Sequence, residues 1–238
     1  MRSCAFIILT FISISAFAQN KDKLFQDAYL RYENGQYKEA SLGFSKAILL
    51  DSMFLEAYVF RGLCHQALKN HKNALDDYQS AINITPKDTM LYLMKGDLAS
   101  EIGEGLMAIV DYSSAITLDP SNAEIYRSRG GLYYSLNHYM LALEDFKKAI
   151  SLDPSDASDF FSAGICLNVV EDYEMAIKYF TTAMKFEPEE AVIYYNRGIS
   201  YNNLLLQDEA CKDWDKASSL GFEDAKNLVS RFCRKNGE

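Results

Sequence analysis

The chain has 238 residues, with 24 Lys+Arg against 33 Asp+Glu, a net charge of −9, 49% apolar residues, 12 Gly and 4 Pro. A normal apolar share with scarce Gly and Pro excludes a disordered tail, a collagen-like rod and a disulfide-dense miniprotein. The acidic balance and the lack of a Lys/Arg-rich run count against nucleic acid and anionic membrane surfaces, which need clustered cations, so a partner is expected to be neutral or basic.

Met1 to Ala18 read as a secretory signal: Arg2, an apolar run from Cys4 to Ile14, and Ala16-Phe17-Ala18 as a small-x-small cleavage site. The run is shorter than the roughly 20 residues a membrane span needs, and no longer one follows. Cleavage is expected before Gln19, leaving an exported chain of net charge −10, since Arg2 is the one charged residue removed. The Phe-Ala-Gln ending resembles Gram-negative export signals and implies a periplasmic or secreted protein.

Beyond that segment a single period recurs. Ala40, Ala74, Ala108, Ala142, Ala176 and Ala210 stand 34 apart, as do Ala47, Ala81, Ala115, Ala149, Ala183 and Ala217. Phe44, Tyr78, Tyr112, Phe146, Phe180 and Trp214 share that interval, and so does the small-residue column Ala28, Gly62, Gly96, Gly130, Gly164 and Gly198. Pro86, Pro120, Pro154 and Pro188 all fall at one register. Apolar spacing within each unit is helical, and each Ala or Gly lets a facing helix approach while an aromatic fills the space beside it. The units run 21–54, 55–88, 89–122, 123–156, 157–190 and 191–224. Ser121-Asn122-Ala123-Glu124 has the spacing of a capping box.

One register predicts a pairing. Arg61, Lys95, Arg129 and Arg197 each precede an Asp by 16 residues (Asp77, Asp111, Asp145, Asp213), and the two units lacking the cation lack the Asp as well. A salt bridge across each of these four hairpins is expected. His65, His71 and His138 have no metal-ligand spacing, and no Walker loop, dinucleotide fingerprint or nucleophile motif occurs, so neither a metal, a cofactor nor catalysis is expected.

These columns resemble the tetratricopeptide repeat family over nearly all of the chain after the signal. The resemblance implies an all-α, right-handed α-solenoid of six 34-residue helix-turn-helix repeats, with 225–238 as a C-terminal capping helix and tail. Departures include Ser52 and Phe222 at the proline register and Gly105 in the third turn. The extra helix should begin near Glu223 and run to Cys233, covering the last repeat's apolar face. Cys211 and Cys233 flank Gly221 and come opposite one another in such a pair; an oxidising compartment would bond them, and otherwise they are two buried thiols. Cys64 and Cys166 share a register three units apart, too far to bond.

In the resembled family the first helices line a concave groove. Carried over residue by residue, that surface here includes Phe25, Tyr29, Tyr32, Val59, Leu93, Asp97, Glu101, Arg127, Tyr134, Phe161, Asn168, Tyr195, Asn202 and Asn203. All the mapped positions together hold six acids (Asp22, Glu33, Glu56, Asp97, Glu101, Glu124) and one cation, Arg127. Leu63, Ile165 and Ile199 on the same face are expected to pack between neighbouring first helices. The implied function is a non-enzymatic module or scaffold that binds a neutral or basic peptide segment of a protein partner; the alternative is a structural or self-associating subunit of a cell-envelope assembly.

Overall fold

The computed structural model describes residues 20–233, and all regular secondary structure among them is helical. The signal segment expected at residues 1–18 and the tail 234–238 lie outside the described residues. Contacts divide the chain into two compact units, one ending at Leu118 and the other starting at Asp119. In the N-terminal unit, α1 (20–33) and α2 (Tyr37–Leu50), α3 (Leu55–Ala67) and α4 (His71–Ile84), and α5 (Thr89–Glu101) and α6 (Gly105–Leu118) pair as hairpins. The C-terminal unit pairs α7 (Ala123–Ser135) with α8 (Tyr139–Leu152), α9 (Ala157–Val169) with α10 (Tyr173–Phe186), and α11 (Ala191–Asn203) with α12 (Gln207–Ser219). Then follow α13 (Glu223–Leu228) and one π-helical turn, Val229–Cys233.

Hairpin turns repeat one backbone device. Gly35, Lys69, Gly103, Asn137, Glu171 and Leu205 all adopt positive φ just after the first helix of each pair. This left-handed residue lets the next amide reach back to the last turn, as Glu104 N does to Ala99 O at 2.8 Å and Asn70 N to His65 O at 2.8 Å. Helix starts are fixed by short polar side chains: Asp88, Asn122 and Asp156 accept from the amides of Met90, Glu124 and Ser158. The capping box expected at Ser121 is therefore displaced by one residue. Asn122 is the cap, and Ser121 Oγ donates instead to Asp119 Oδ1 at 2.7 Å.

Close approach explains the small-residue column. A Cβ at Gly164 would stand 2.6 Å from the Phe180 ring, and one at Gly198 would stand 2.5 Å from Trp214 Nε1. The first hairpin swaps the partners: Ala28 keeps its methyl because Gly43 opposite has none, and a Cβ there would meet Ala28 Cβ at 2.6 Å. Buried Ala and aromatic columns form the core of each unit, with Phe44, Tyr78 and Phe180 fully enclosed. Hydroxyls of Tyr92 and, in the other unit, Tyr126 and Tyr194 donate to the carbonyls of Pro86, Pro120 and Pro188, so the proline turns are tied to the helices that follow them.

The four expected ion pairs are present. Arg129 and Arg197 grip Asp145 and Asp213 through Nε and Nη2, with all four bonds at 2.7–2.8 Å. Arg61 does the same with Asp77, its Nη2 reaching Oδ1 at 2.6 Å. Lys95 makes one bond to Asp111 Oδ1 at 3.1 Å and leaves the buried Oδ2 without a hydrogen-bond partner. Burial raises the Asp111 pKa against the pull of Lys95. The guanidinium groups of Arg129 and Arg197 each lie between two tyrosine rings, Tyr126 and Tyr133 or Tyr194 and Tyr201.

Around the last hairpin, Ala225 is buried and Leu228, Val229 and Cys233 pack on Trp214 and Ala217. Cys211 and Cys233 are joined as a disulfide, their Cα atoms 5.5 Å apart. Cys64 and Cys166 are free and buried. Burial pushes their thiols up, to about 12 and about 11, so neither supplies a thiolate at neutral pH. Among the described residues no helix is long and apolar enough to cross a membrane.

Candidate functional site

The residues expected on the groove have different fates in the two units. Phe25, Tyr29 and Tyr32 were expected to meet a partner, yet they close around Phe60, at ring-centroid distances of 5.8, 5.0 and 5.4 Å. Phe44 and Phe54 complete the cluster, 5.4 and 5.1 Å from Phe25. Except for the buried Phe44, these aromatics are half-buried and pack against the N-terminal core, because α3 presents Phe60 towards α1 and each ring partly shields the others from water. Val59 packs with Ile82 and Leu91, and Leu93 is half-buried. Asp97 accepts from the Tyr112 hydroxyl at 2.7 Å, and Glu101 from Gln66 Nε2 at 3.3 Å and Lys69 Nζ at 3.5 Å.

In the C-terminal unit Arg127 is shared by four carboxylates: Nη1 with Glu124 at 3.3 Å, Nη2 with Asp153 at 2.9 Å, and Nε with Asp156 at 3.3 Å and Asp159 at 2.8 Å. Asp159 occupies a register that is apolar in four of the other five units (Ala57, Leu91, Ile125, Ile193) and is the exposed Lys23 in the first, so a buried carboxylate there demands a cation from the neighbouring first helix. Its side chain is 2% exposed. Burial pushes its pKa up to about 6, against the bonds from Arg127.

The asparagines are also partly engaged. Asn168 accepts from Ser200 Oγ at 2.6 Å and donates to the Asn196 carbonyl at 3.3 Å, while Asn203 donates to the Ile199 carbonyl at 3.0 Å. Both amides make bonds within the unit, and Asn203 is exposed. Asn202 is half-buried. The Tyr195 ring meets Phe222 at a tilt, 4.8 Å between centroids, and its carbonyl accepts from Trp214 Nε1 at 3.2 Å.

Tyr134 and Phe161 remain, and they share a cleft of about 320 Å³ with Gly131, Phe146, Ser162 and Ile165. Gly131, next to the close-approach Gly130, opens it. Gly130 lies over the Phe146 ring, where a Cβ would be 3.1 Å away, whereas a Cβ on Gly131 would meet nothing within 4 Å. At the Gly131 register the other units carry Tyr29, Leu63, Asp97, Ile165 and Ile199. The missing side chain therefore leaves a gap floored by Phe146, with Tyr134, Phe161 and Ile165 as walls. Tyr134 meets Tyr139 edge-on at 5.4 Å and is 38% exposed. Phe161 leans on Phe180 at 5.9 Å. The volume is at the low end of the roughly 300–1,000 Å³ typical of small-molecule sites, which suits one or two bulky side chains. Phe146 and Ser162 were not expected here, and the signal for them was Gly131 breaking its column.

Three stretches match family models: residues 123–156 and 55–88 the tetratricopeptide repeat, and 107–137 a TPR repeat. No curated protein matches the chain. Among solved structures, the C-terminal part of a TPR repeat-containing protein from Cytophaga hutchinsonii has a TM-score of 0.76 at 18% identity, covering 88% of this chain and 87% of that one. YrrB, described as a TPR protein with an unusual peptide-binding site, gives 0.69 at 21% identity over 79% and 97% of the two chains. A tetratricopeptide repeat protein from Parabacteroides merdae gives 0.68 at 19% identity over 91% and 100%. With its repeat columns, its helical hairpins and these matches, the chain belongs to the tetratricopeptide repeat family.

Proposed function

We propose that the protein is a non-enzymatic scaffold whose C-terminal unit holds a segment of a protein partner by an apolar side chain seated in the cleft at Gly131. One observation carries this reading: an apolar gap opens where the repeat register otherwise places a side chain, and of its three walls, all from first helices, two are the aromatics Tyr134 and Phe161 and the third is Ile165. Large apolar anchors in such gaps dominate the energetics of peptide recognition, and polar neighbours contribute little by comparison. The peptide-binding site named for YrrB is in keeping with this use of the fold.

We further propose that the scaffold works outside the cytoplasm. Arg2, the apolar run after it and Ala16-Phe17-Ala18 support export, and a bonded Cys211–Cys233 pair suits an oxidising compartment.

Site-specific photo-crosslinking tests the binding reading. A photoreactive residue replacing Ser162, at the cleft wall, should crosslink a discrete partner in native extract, and the crosslink should vanish when Gly131→Leu is added. Equal crosslinking with and without the leucine would show that the cleft does not hold the partner.

A further inference from the structure

The charge around the cleft is unbalanced. Arg127 sits one helical turn before Gly131 on α7, about 6 Å along the axis, and its single positive charge is divided among Glu124, Asp153, Asp156 and Asp159. Three negative charges are left uncompensated in this group. They are unequally accessible: Asp159 is sealed, while the Glu124 and Asp153 side chains are 63% and 43% exposed. Glu124 gives Arg127 only Oε2, and Asp153 gives it Oδ2 while Oδ1 receives the amide and hydroxyl of Ser155. The backbone also fixes Asp156, whose Oδ1 caps α9 through Ser158. Asp153 and Asp156 are therefore held in place before any ligand arrives, Glu124 lies seven residues before Gly131 on the same helix, about 10 Å along its axis, and Arg127 is too occupied to receive an acidic group.

We propose that the ligand of the cleft is an extended basic peptide segment, in which a Leu-, Met- or Phe-sized side chain enters between Tyr134 and Phe161 and a nearby Lys or Arg meets Glu124 and Asp153. This rests on the cleft being the binding site and adds the class of ligand. Across the roughly 10 Å from Gly131 to Glu124, at about 3.3 Å per residue of extended chain, the basic residue falls about three positions from the anchor. A peptide with Asp or Glu there is repelled, so the acidic cluster selects against such segments as well as favouring basic ones.

Blocked nine-residue peptides in a Gly/Ser background provide the probe, with Leu, Phe or Ala at the centre and Lys, Ser or Glu two or three residues to either side. Affinity is read by fluorescence anisotropy, and location by the Ile165 methyl signal in NMR, using the whole chain from Gln19. Leu and Phe peptides bearing Lys should perturb Ile165 and bind at least about tenfold more tightly than their Glu counterparts at low salt. That preference should shrink as salt rises and in Glu124→Gln, while Gly131→Leu abolishes the Ile165 response to every peptide. Leu and Phe peptides that perturb Ile165 equally with Lys or Glu would overturn the basic preference and leave the cleft as the binding site. No Ile165 response to any peptide would overturn both.

Discussion

In each unit the first-helix surface presents aromatics, but the two units use them differently. In the N-terminal unit Phe25, Tyr29 and Tyr32 turn on Phe60 and complete a core. In the C-terminal unit Gly131 stands at the register of Tyr29, and the aromatics around it line an opening. The same repeat register thus yields stability in one place and a vacancy in the other, depending on one side chain. An aromatic stripe at repeat spacing is no guide to binding until it is known what fills the gap between neighbouring first helices.

Substitutions on the two sides should separate these roles. Phe60→Ala removes a half-buried ring at the centre of the N-terminal cluster and should cost about 3 kcal/mol in urea denaturation, the low end of the scale for truncating a packed aromatic. Tyr134→Ala, at the open cleft, should cost about 1 kcal/mol or less. Similar losses at both positions would mean that the cleft is part of the core.

The Cys211–Cys233 bond closes a loop with a sequence separation of 22, for which the chain-entropy estimate is about 3 kcal/mol. Hydrogen exchange with and without reductant should show that loss in α11 to α13 and leave the N-terminal unit unchanged. No loss of protection in α11 to α13 on reduction would contradict a stapling role for the bond.

Glycines within the C-terminal unit offer a smaller contrast. Gly164→Ala forces a methyl against the enclosed Phe180 ring and should destabilise by about 1–3 kcal/mol. Gly131→Ala meets open space in mid-helix and should stabilise by up to about 1 kcal/mol.

Smallest of all, Lys95→Arg should gain about 0.5–1 kcal/mol in the N-terminal unit by reaching the unpaired Asp111 Oδ2. With its folded pKa raised by burial, Asp111 holds its proton more tightly in the folded state than in the unfolded chain. Its contribution to stability therefore falls as pH climbs through that folded pKa, and the arginine variant should show less of this fall. An unchanged pH dependence would argue that the second oxygen stays unpaired.

Much of the fold could be read from the residues. The helical hairpins followed from the Ala and aromatic columns, and the four ion pairs followed from a constant offset of 16 residues. These features are local to a hairpin, so their spacing suffices. Phe60 closing over Tyr29, or Asp159 pairing with Arg127, depends on how one hairpin meets the next, which a column of residue types does not record. The left-handed turn at Lys69, Asn137, Glu171 and Leu205 was hidden for another reason: only Gly35 and Gly103 carry the residue that marks it. Gly131 was visible as an exception to its column, but an absent side chain draws less notice than an aromatic one.

The most direct test of the cleft is a single variant measured twice. A Cβ at Gly131 meets nothing within 4 Å and leucine is a better helix former than glycine, so Gly131→Leu should fill the opening with a melting temperature equal to or above that of the parent chain, together with loss of crosslinking from position 162. A leucine variant that folds normally and still captures the same partner there would contradict the central claim.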